Sequence, residues 1–504
     1  MELLFHDETI RYLAEKRFDQ IYQEQTAEMA VPENRPEIRR IVDCFGLVLV
    51  QNKTVDPGML SVSGTIQAGV LYVPDNEEGL ERIDVVLPFS VTKKVTTEPG
   101  AQLFYWGWLK GLDARMINSR KVLVRANLGS ELTLFESTDF SFSRINEIPE
   151  DLCCKTEEYR LKLPLCTAEK EIQIADEVLI PTQQPGIADL LKWTCGVEVS
   201  DTRIIGDKAV FKGDVALRCL YRSEDDTLHV WTGKVPYSQY ADLDRELSDG
   251  IMTVQPIFRQ AEVESDGQID SHRLLVNLSF SAQIVVRGDV PAIFTEDAYY
   301  LKGDFAPDWQ DCDLPSCLDY VQQMQTESIP LPPEAAQMLD WTVFSDAAVN
   351  SSAQKDRVIT PLSVNLLYWD SDRNLQSKVL RCEAATDAPE SGESGLRPFS
   401  VTGNDTVLQG SQLQIPILMS MQYDQVRPMR NLCGGRINEN SAESRPSLAA
   451  VRCSGSLWEI AKAKKSTVDA LKAVNGLDTD RLAETKLLLV PLGRAAKTAG
   501  EVKE

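Results

Sequence analysis

The residue types that most often carry out catalysis are sparse in this sequence of 504 residues. It has three histidines, His6, His229 and His272, and none stands in the HExxH spacing that would hold a catalytic zinc ion. The GxSxG, GxxxxGK(S/T) and GxGxxG patterns, which place nucleophiles or phosphate groups, do not occur either. We therefore expect no catalytic residue, no bound metal and no cofactor, and we predict that the chain is not an enzyme.

One run of acidic side chains, Glu224-Asp225-Asp226, has the residue type for paired carboxylates or for a cation site. Acidic residues between two strands more often form a solvated turn, and we expect a turn here. The eleven cysteines are scattered along the chain without a CxxC pair. This spacing favours reduced thiols with structural roles, and a zinc site or coat-type crosslinking is the alternative.

The charge is strongly acidic, with 52 basic residues against 76 acidic ones and a net charge of −24. Nucleic acid is therefore not expected as the main partner, because phosphate binding needs a clustered positive surface. Residues 452–494 are the exception, since eight basic and five acidic side chains give them +3 and leave −27 for the rest. The sequence has no signal-peptide pattern and no apolar run near the ~20 residues that span a bilayer, so we expect a cytoplasmic protein without a transmembrane segment.

A Leu-Tyr pair that ends an apolar strand recurs three times along the chain. Its tyrosines are Tyr72, Tyr221 and Tyr368, which are spaced by 149 and 147 residues. In each copy a polar turn follows and a second apolar strand returns, which is typical of a β-hairpin. The sequence therefore contains an internal repeat.

The first two copies of the repeat agree further upstream. Gly64 and Gly213 each precede the tyrosine of their copy by eight positions, and Pro36 and Pro185 are also 149 residues apart. In the third copy Thr360 occupies the glycine position. We therefore expect the third copy to be degenerate.

A repeat of this length can bury a core of its own. We predict a mainly β, multi-domain fold with three β-sandwich or open-barrel-like domains, over residues 1–150, 160–315 and 325–433. Within the first domain, the spacing of apolar residues over Glu8–Met29 predicts a helix. Residues 434–446 have a single sizeable apolar residue, Ile437, and are predicted to be a flexible linker, and residues 495–504 a frayed tail.

Residues 447–494 are predicted to form a small α+β domain in the order strand, helix, helix, strand. Ser456 with Glu459, and Ser466 with Asp469, have the capping-box spacing that starts a helix. Gly476 is expected to end the second helix, because glycine readily adopts the left-handed conformation found there. The flanking strands are expected over residues 448–453 and 487–491.

This C-terminal segment resembles the LysM family. The positions that carry the resemblance are Leu457-Trp458, Ile460-Ala461, Thr467-Val468, Leu471, Asn475, Leu477, Leu488 and Val490-Pro491. The pattern departs in one place, where Ser454-Gly455-Ser456 replaces the usual Gly-Asp-Thr.

The LysM resemblance implies a groove between two loops, in which such domains commonly bind N-acetylglucosamine polymers. Backbone donors and acceptors in the loops would recognise acetamido groups. The alternative is that the apolar members are core residues. The implied groove consists of Ser454, Gly455, Ser456 and Leu457 on one wall and Asn475, Gly476, Leu477 and Asp478 on the other.

The three repeats resemble the SPOCS domain family, and SPOCS repeats followed by a LysM domain are similar to clostridial spore-coat morphogenesis proteins. The resemblance implies a non-enzymatic scaffold or adaptor in spore coat or envelope assembly, on the mother-cell side of the forespore. Its LysM domain would dock on a coat-organising ATPase or another coat protein, and the SPOCS units could self-associate. The alternative is a peptidoglycan-binding protein of the cell wall or spore cortex.

Overall fold

The computed structural model of the protein describes residues 2–75, 79–247, 249–268, 271–313, 317–345, 357–387, 399–402, 407–425, 428–439 and 448–491. The predicted tail and residues 440–446 of the predicted linker lie outside these ranges. Across the described ranges, no helix is long and apolar enough to cross a membrane.

The N-terminal part of the chain forms two antiparallel sheets. Its strands are β1 (Phe5–Arg17), β2 (Ile21–Ala30), β3 (Ile38–Asp56), β4 (Met59–Pro74), β5 (Glu81–Lys94), β6 (Gln102–Asn118) and β7 (Lys121–Ile145). β3, β4 and β5 form one sheet in that order, and β7 pairs with β1, β2 and β6 in the other. Leu60 and Ile66 of the first sheet share a buried core with Val122 and Leu132 of the second, so the sheets pack face to face.

The middle part repeats this arrangement with two three-stranded sheets. Its strands are β8 (Leu152–Leu179), β9 (Asp189–Ile205), β10 (Lys208–Arg222), β11 (Leu228–Asp242), β12 (Ile251–Ser265) and β13 (Arg273–Tyr300). β10 lies between β9 and β11, and β13 lies between β12 and β8. Phe211 and Leu217 from one sheet share a core with Phe280 and Ile284 from the other.

The next part contains three small sheets. Its strands are β14 (Gly303–Asp313), β15 (Cys317–Pro330), β16 (Gln337–Ser345), β17 (Arg357–Trp369), β18 (Leu375–Asp387), β19 (Phe399–Thr402), β20 (Val407–Gln409), β21 (Gln412–Gln425) and β22 (Pro428–Glu439). β17 lies between β16 and β18, β21 pairs with β15, β19 and β20, and β14 pairs with β22. Leu362 and Val364 of β17 share a core with Ile329 and Ile415 of the β21 sheet.

The C-terminal module, residues 448–491, has the predicted order of elements. It consists of β23 (Leu448–Ser456), α1 (Leu457–Lys464), α2 (Val468–Asn475) and β24 (Arg481–Pro491), and the two strands pair antiparallel. The mainly β fold class is therefore confirmed, and among the described residues no sheet closes into a barrel.

The strands follow the alternation of the sequence. In β5 every second side chain is buried, while those between them point to solvent. This period of two is what places one face of a strand on a core. The buried apolar residues of β5 are Ile83, Val85, Leu87, Phe89 and Val91.

The predicted N-terminal helix over Glu8–Met29 is wrong. Residues in this range form β1 and β2, which pair with opposite ends of β7, from Phe5 opposite Ile145 to Ala30 opposite Lys121. The long strand β7 offers backbone groups along its whole edge, and pairing with it overrides the local spacing of apolar residues.

The predicted flexible linker is wrong for its first six residues, 434–439. They belong to β22 and pair with β14, with Ile437 opposite Phe305. Gly435 lies where an added Cβ would come within 2.5 Å of the Phe305 ring. The glycine at position 435 thus reflects a close approach of Phe305 to the backbone rather than a free tether.

The two predicted capping boxes are not formed as expected. Ser456 precedes α1 but its side chain makes no capping hydrogen bond. At α2 the N-cap is Thr467, whose hydroxyl accepts from the backbone N–H of Ala470. Ser466 is unavailable for this role because its hydroxyl donates to the carbonyl of Pro491 at 2.6 Å.

Candidate functional site

The repeated tyrosines are structural anchors. Tyr72 donates its hydroxyl to the carbonyl of Pro36 at 3.0 Å, and Tyr221 donates to the carbonyl of Pro185 at the same distance. The prolines and tyrosines of the repeat are therefore partners of one hydrogen bond. In the third copy, Tyr368 donates to the carboxylate of Glu334 at 3.4 Å, so the partner has changed.

The repeated glycines are required by a close approach of neighbouring strands. A Cβ on Gly64 would lie 2.0 Å from the carbonyl oxygen of Leu49, and one on Gly213 would lie 1.8 Å from that of Glu198. Only glycine fits both places. Thr360 occupies this position in the third copy. The described part of β16 ends before it, at Ser345, which pairs with Leu362.

A polar junction, defined by Asp43, Lys192, Arg218, Asp340 and Thr342, lies buried where three sheets meet. Lys192 Nζ is 2.7 Å from Oδ2 of both Asp43 and Asp340, and 2.6 Å from the Thr342 hydroxyl. Arg218 Nε donates to the other oxygen of Asp340 at 2.6 Å. The two cations balance the two carboxylates, as buried charges require.

The ionisation states in the polar junction support one another. Burial acts to lower the pKa of Lys192, but the carboxylates of Asp340 and Asp43 outweigh it and raise that pKa. Burial acts to raise the pKa of Asp340, and the charges of Lys192 and Arg218 outweigh it in the opposite direction. Lys192 and Asp340 are therefore both charged near neutral pH.

The C-terminal module packs on the body of the protein through α1. Trp458 Nε1 donates to Asp297 at 2.7 Å, and the Lys462 ammonium lies 2.7 Å from the same carboxylate. Tyr299 joins the core of the module and donates its hydroxyl to the carbonyl of Ser466 at 2.6 Å. We call these contacts the module interface, and they show that part of the positive charge of the module is used inside the chain.

A cleft of about 840 Å³ opens beside the module interface, between α1 and strands β13, β14 and β22. Tyr299, Trp309 and Trp458 contribute aromatic rings to it, and Lys155 and Arg430 contribute charge. The Arg430 guanidinium lies 4.8 Å from the centre of the Trp309 ring. Aromatic rings beside a few charged groups are typical of recognition sites, so the cleft is a candidate binding site.

The structure brings the two walls of the predicted groove together but gives their residues different roles. The backbone N–H of Leu457 donates to the carbonyl of Asp480 at 2.8 Å, which ties the first loop to the second. Leu457 is fully buried in the module core, and Leu477 is partly buried against it. The core interpretation is therefore correct for Leu457.

Asn475 of the predicted groove is engaged within the module. Its amide nitrogen donates to the carbonyls of Leu471 and Leu489, and its oxygen accepts from the backbone N–H of Leu489 at 2.8 Å. These bonds join the end of α2 to β24. Gly476 follows with φ of 59°, which confirms the predicted left-handed helix end.

The remaining groove positions are accessible. Ser454, Gly476 and Asp478 are exposed, and Gly455 and Ser456 are partly exposed. A Cβ at Gly455 or Gly476 would meet no atom within 4 Å, so both loops are open to an approaching partner. Whether they bind a ligand stays a prediction.

The candidate reactive groups have structural explanations. Asp225 accepts hydrogen bonds from Ser223 and Thr227 within the β10–β11 turn, and these bonds lower its pKa to about 2. Burial raises the pKa of Cys166 to about 11 and that of Cys219 to about 12, so both thiols stay protonated at neutral pH. In the described parts of the chain, no group of three or more His, Cys, Asp and Glu side chains is placed to hold a metal ion.

The polar junction and the module interface were not predicted from the sequence. The repeat offered a signal for the first, because Lys192 stands 149 residues after Asp43, where the copies otherwise match. No signal of this kind marks Asp297, because it contacts Lys462 from 165 residues away.

The comparisons with known proteins concern the middle of the chain. No curated protein matches the sequence, and no solved structure matches it. Residues 186–265 match the family model described as SipL, SPOCS domain. The matched range contains β9, β10, β11 and β12, and it supports a SipL-like family for this part of the chain.

Proposed function

We propose that this chain is a non-enzymatic sporulation scaffold with three SPOCS-like domains, over residues 1–150, 160–315 and 325–433, and a LysM-like domain over residues 447–494. The observation that carries the proposal is the match of residues 186–265 to the SipL SPOCS family. The β3–β5 and β16–β18 sheets repeat the strand order of the matched β9–β11 sheet, which favours extending the assignment to them.

The scaffold would act in assembly of the spore coat or envelope, on the mother-cell side of the forespore, and would dock through its LysM-like domain on a coat-organising protein such as an ATPase. The strand-helix-helix-strand order of the module supports the LysM-like assignment. The exposed loops around Ser454 and Asp478 are the surface offered to the partner. Charge favours an acidic partner surface, because residues 452–494 carry eight basic and five acidic side chains.

The test uses the full-length protein, because Tyr299 of the body completes the module core. Immobilised protein is offered the coat-organising ATPase and, separately, insoluble peptidoglycan. We expect capture of the ATPase, with a severalfold loss in the Ser454→Glu variant, because a negative charge on the exposed first loop would repel an acidic partner surface. Thr485→Glu is the matched control, because it makes the same charge change on an exposed residue of β24 in the same module.

Two results would overturn the proposed docking. Retention by peptidoglycan without capture of the ATPase would establish the alternative, a peptidoglycan-binding function. Loss of capture in Trp309→Ala with full capture in Ser454→Glu would move the binding site from the groove to the cleft beside the module interface, where Trp309 lies.

A further inference from the structure

We infer that three related sheets, β3–β5, β9–β11 and β16–β18, pack around a pseudo-threefold axis. We further infer that the charged side chains at this axis make each sheet pair specifically with the other two sheets of the same chain. The partner of each sheet is therefore another copy of the repeat in the same chain, one that carries the opposite charge at the axis. This inference concerns the repeats themselves and does not depend on what the C-terminal module binds.

The three residues at the axis are equivalent by strand register. Asp43 pairs with Leu71, Lys192 pairs with Leu220, and Asp340 pairs with Leu367. In each case the partner is the leucine of the repeated Leu-Tyr pair on the central strand of the sheet. Equivalent positions of the three related sheets thus lie together at the axis.

The apolar residues around the axis also come from equivalent positions of the three sheets. The three leucines of the Leu-Tyr pairs, Leu71, Leu220 and Leu367, belong to a single buried cluster. The residues before the three axial ones lie in the same cluster or, for Leu339, pack against it partly buried. These residues are Val42, Leu191 and Leu339.

A second set of equivalent positions sets the charge balance. Arg218 pairs with Thr194 on the strand next to it, Asn365 pairs with Thr342, and Gly69 pairs with Phe45. Arg218 neutralises Asp340 at 2.6 Å, and the Asn365 amide lies 3.4 Å from Asp43. The axis therefore holds two positive and two negative side chains.

This distribution of charge explains why the three copies differ at the axis. Three identical copies would place three aspartates or three lysines together in a buried site, where like charges repel strongly. The sequence Asp, Lys, Asp at positions 43, 192 and 340 instead gives the lysine two carboxylate partners at 2.7 Å. Pairing a sheet with the same sheet of a second chain would bring identical charges together, which disfavours association of like sheets through this face.

The test moves the lysine to another equivalent position in the full-length chain. The Asp43→Lys and Lys192→Asp single variants each unbalance the axis, and we expect the equilibrium constant of unfolding to rise by roughly a hundredfold or more. The double variant Asp43→Lys/Lys192→Asp restores two positive and two negative side chains. We expect it to recover to within about tenfold of the parent, measured by denaturant titration.

A second relocation distinguishes the axis from general charge balance. Asp340→Lys/Lys192→Asp also keeps the net charge, but it places the new lysine beside Arg218, whose Nε lies 2.6 Å from Asp340. We expect this variant to stay as unstable as the single variants. Failure of both relocations alike, or equal recovery of both, would overturn the inference.

The milder pair Lys192→Met and Lys192→Met/Asp43→Asn keeps the inference testable if the charge reversals do not fold. Removing the lysine leaves Asp43 without its ammonium partner, and making that position neutral should recover part of the loss. Absence of any recovery would contradict electrostatic pairing at the axis.

Discussion

Two lysine–aspartate pairs with the same distance lie in very different surroundings. In the polar junction, Lys192 lies 2.7 Å from Asp340, and their side chains are 2% and 1% exposed. At the module interface, Lys462 also lies 2.7 Å from Asp297, but these side chains are 41% and 19% exposed. A deeply buried charge loses its solvation when its partner is removed, whereas a half-exposed one returns to water. The same contact therefore fixes the sheets firmly and holds the module weakly.

The apolar surroundings widen this difference. The polar junction lies beside a buried cluster with members from all three related sheets, among them Leu71, Leu220 and Leu367. At the module interface, among the described residues, the body adds the buried Tyr299 and the partly buried Cys153 and Leu301 to the module core. We expect the module to separate from the body more easily than the sheets separate from one another.

The largest expected effect is at the polar junction. Lys192→Met leaves the buried carboxylates of Asp43 and Asp340 without their shared ammonium group, which should lower the free energy of unfolding by about 3–5 kcal/mol. Denaturant titration measures it. Lys234→Met is the matched control, because Lys234 pairs with Glu198 at 2.8 Å on the surface and should cost at most about 1 kcal/mol. Equal losses in the two variants would remove the distinction between buried and exposed pairs.

Inside the module, neighbouring residues should respond differently. Leu457 is fully buried, so Leu457→Ala should destabilise the module by about 2–5 kcal/mol. Trp458→Phe keeps a ring against Tyr299 and loses the hydrogen bond to Asp297, so about 1–3 kcal/mol of docking should be lost. Hydrogen exchange of the α2 amides reports the first change, and exchange near Asp297 reports the second. A larger global loss for Trp458→Phe would place Trp458 in the core.

The repeat and the module were predictable because their signals are local. Tyr72 and Tyr221 with their prolines, and Gly64 with its counterpart, appear as fixed spacings in the sequence. Each spacing corresponds to one contact, a tyrosine hydroxyl on a proline carbonyl or a strand passing close to a glycine. The order of elements in the module followed from a period of 3.6 and from Gly476 at a helix end.

The errors arose where a distant partner decides the outcome. Ile10, which suited a helical spacing, lies opposite Phe140 of β7 in the structure. Ile437, taken as part of a tether, lies opposite Phe305. The lone lysine at position 192 gains its meaning only when Asp43 and Asp340 are beside it. Sequence spacing does not encode the pairings of Ile10 and Ile437, because they depend on tertiary packing. For Lys192 the repeat spacing marks its equivalence to Asp43, but it does not show that equivalent positions meet in one buried site.

A smaller effect is expected from the salt bridge at the module interface. Lys462→Met removes a partly exposed ion pair with Asp297, so docking should weaken by about 1 kcal/mol or less, and high salt should weaken it in the parent. Lys464→Met, an exposed residue of the same helix, is the matched control and should change nothing measurable. Hydrogen exchange around Tyr299 measures docking. Equal effects of the two variants would show that Lys462 contributes only general charge.

Docking of the module on the body should be weaker at acid pH than at neutral pH. Burial acts to raise the pKa of Asp297, but hydrogen bonds from Lys462 and Trp458 outweigh it and lower that pKa below its ordinary value of 3.8. Because the pKa is lowered in the docked state, the ionised carboxylate of Asp297 stabilises docking fully at pH values above 3.8. This contribution is lost as the pH falls through the lowered pKa.

The alkaline side gives the contrast with the polar junction. The raised pKa of Lys192, above its ordinary value of 10.5, means that its contribution is complete below that pH and is lost only as the pH rises further. Because the pKa of Asp297 lies below 3.8, we expect the hydrogen-exchange protection factors at the module interface to fall in the parent once the pH drops below about 4, and to depend less on pH in Asp297→Asn. An unchanged pH dependence in that variant would assign the acid effect to other carboxylates. The weakness of the module interface would then follow only from the solvent exposure of its ion pair.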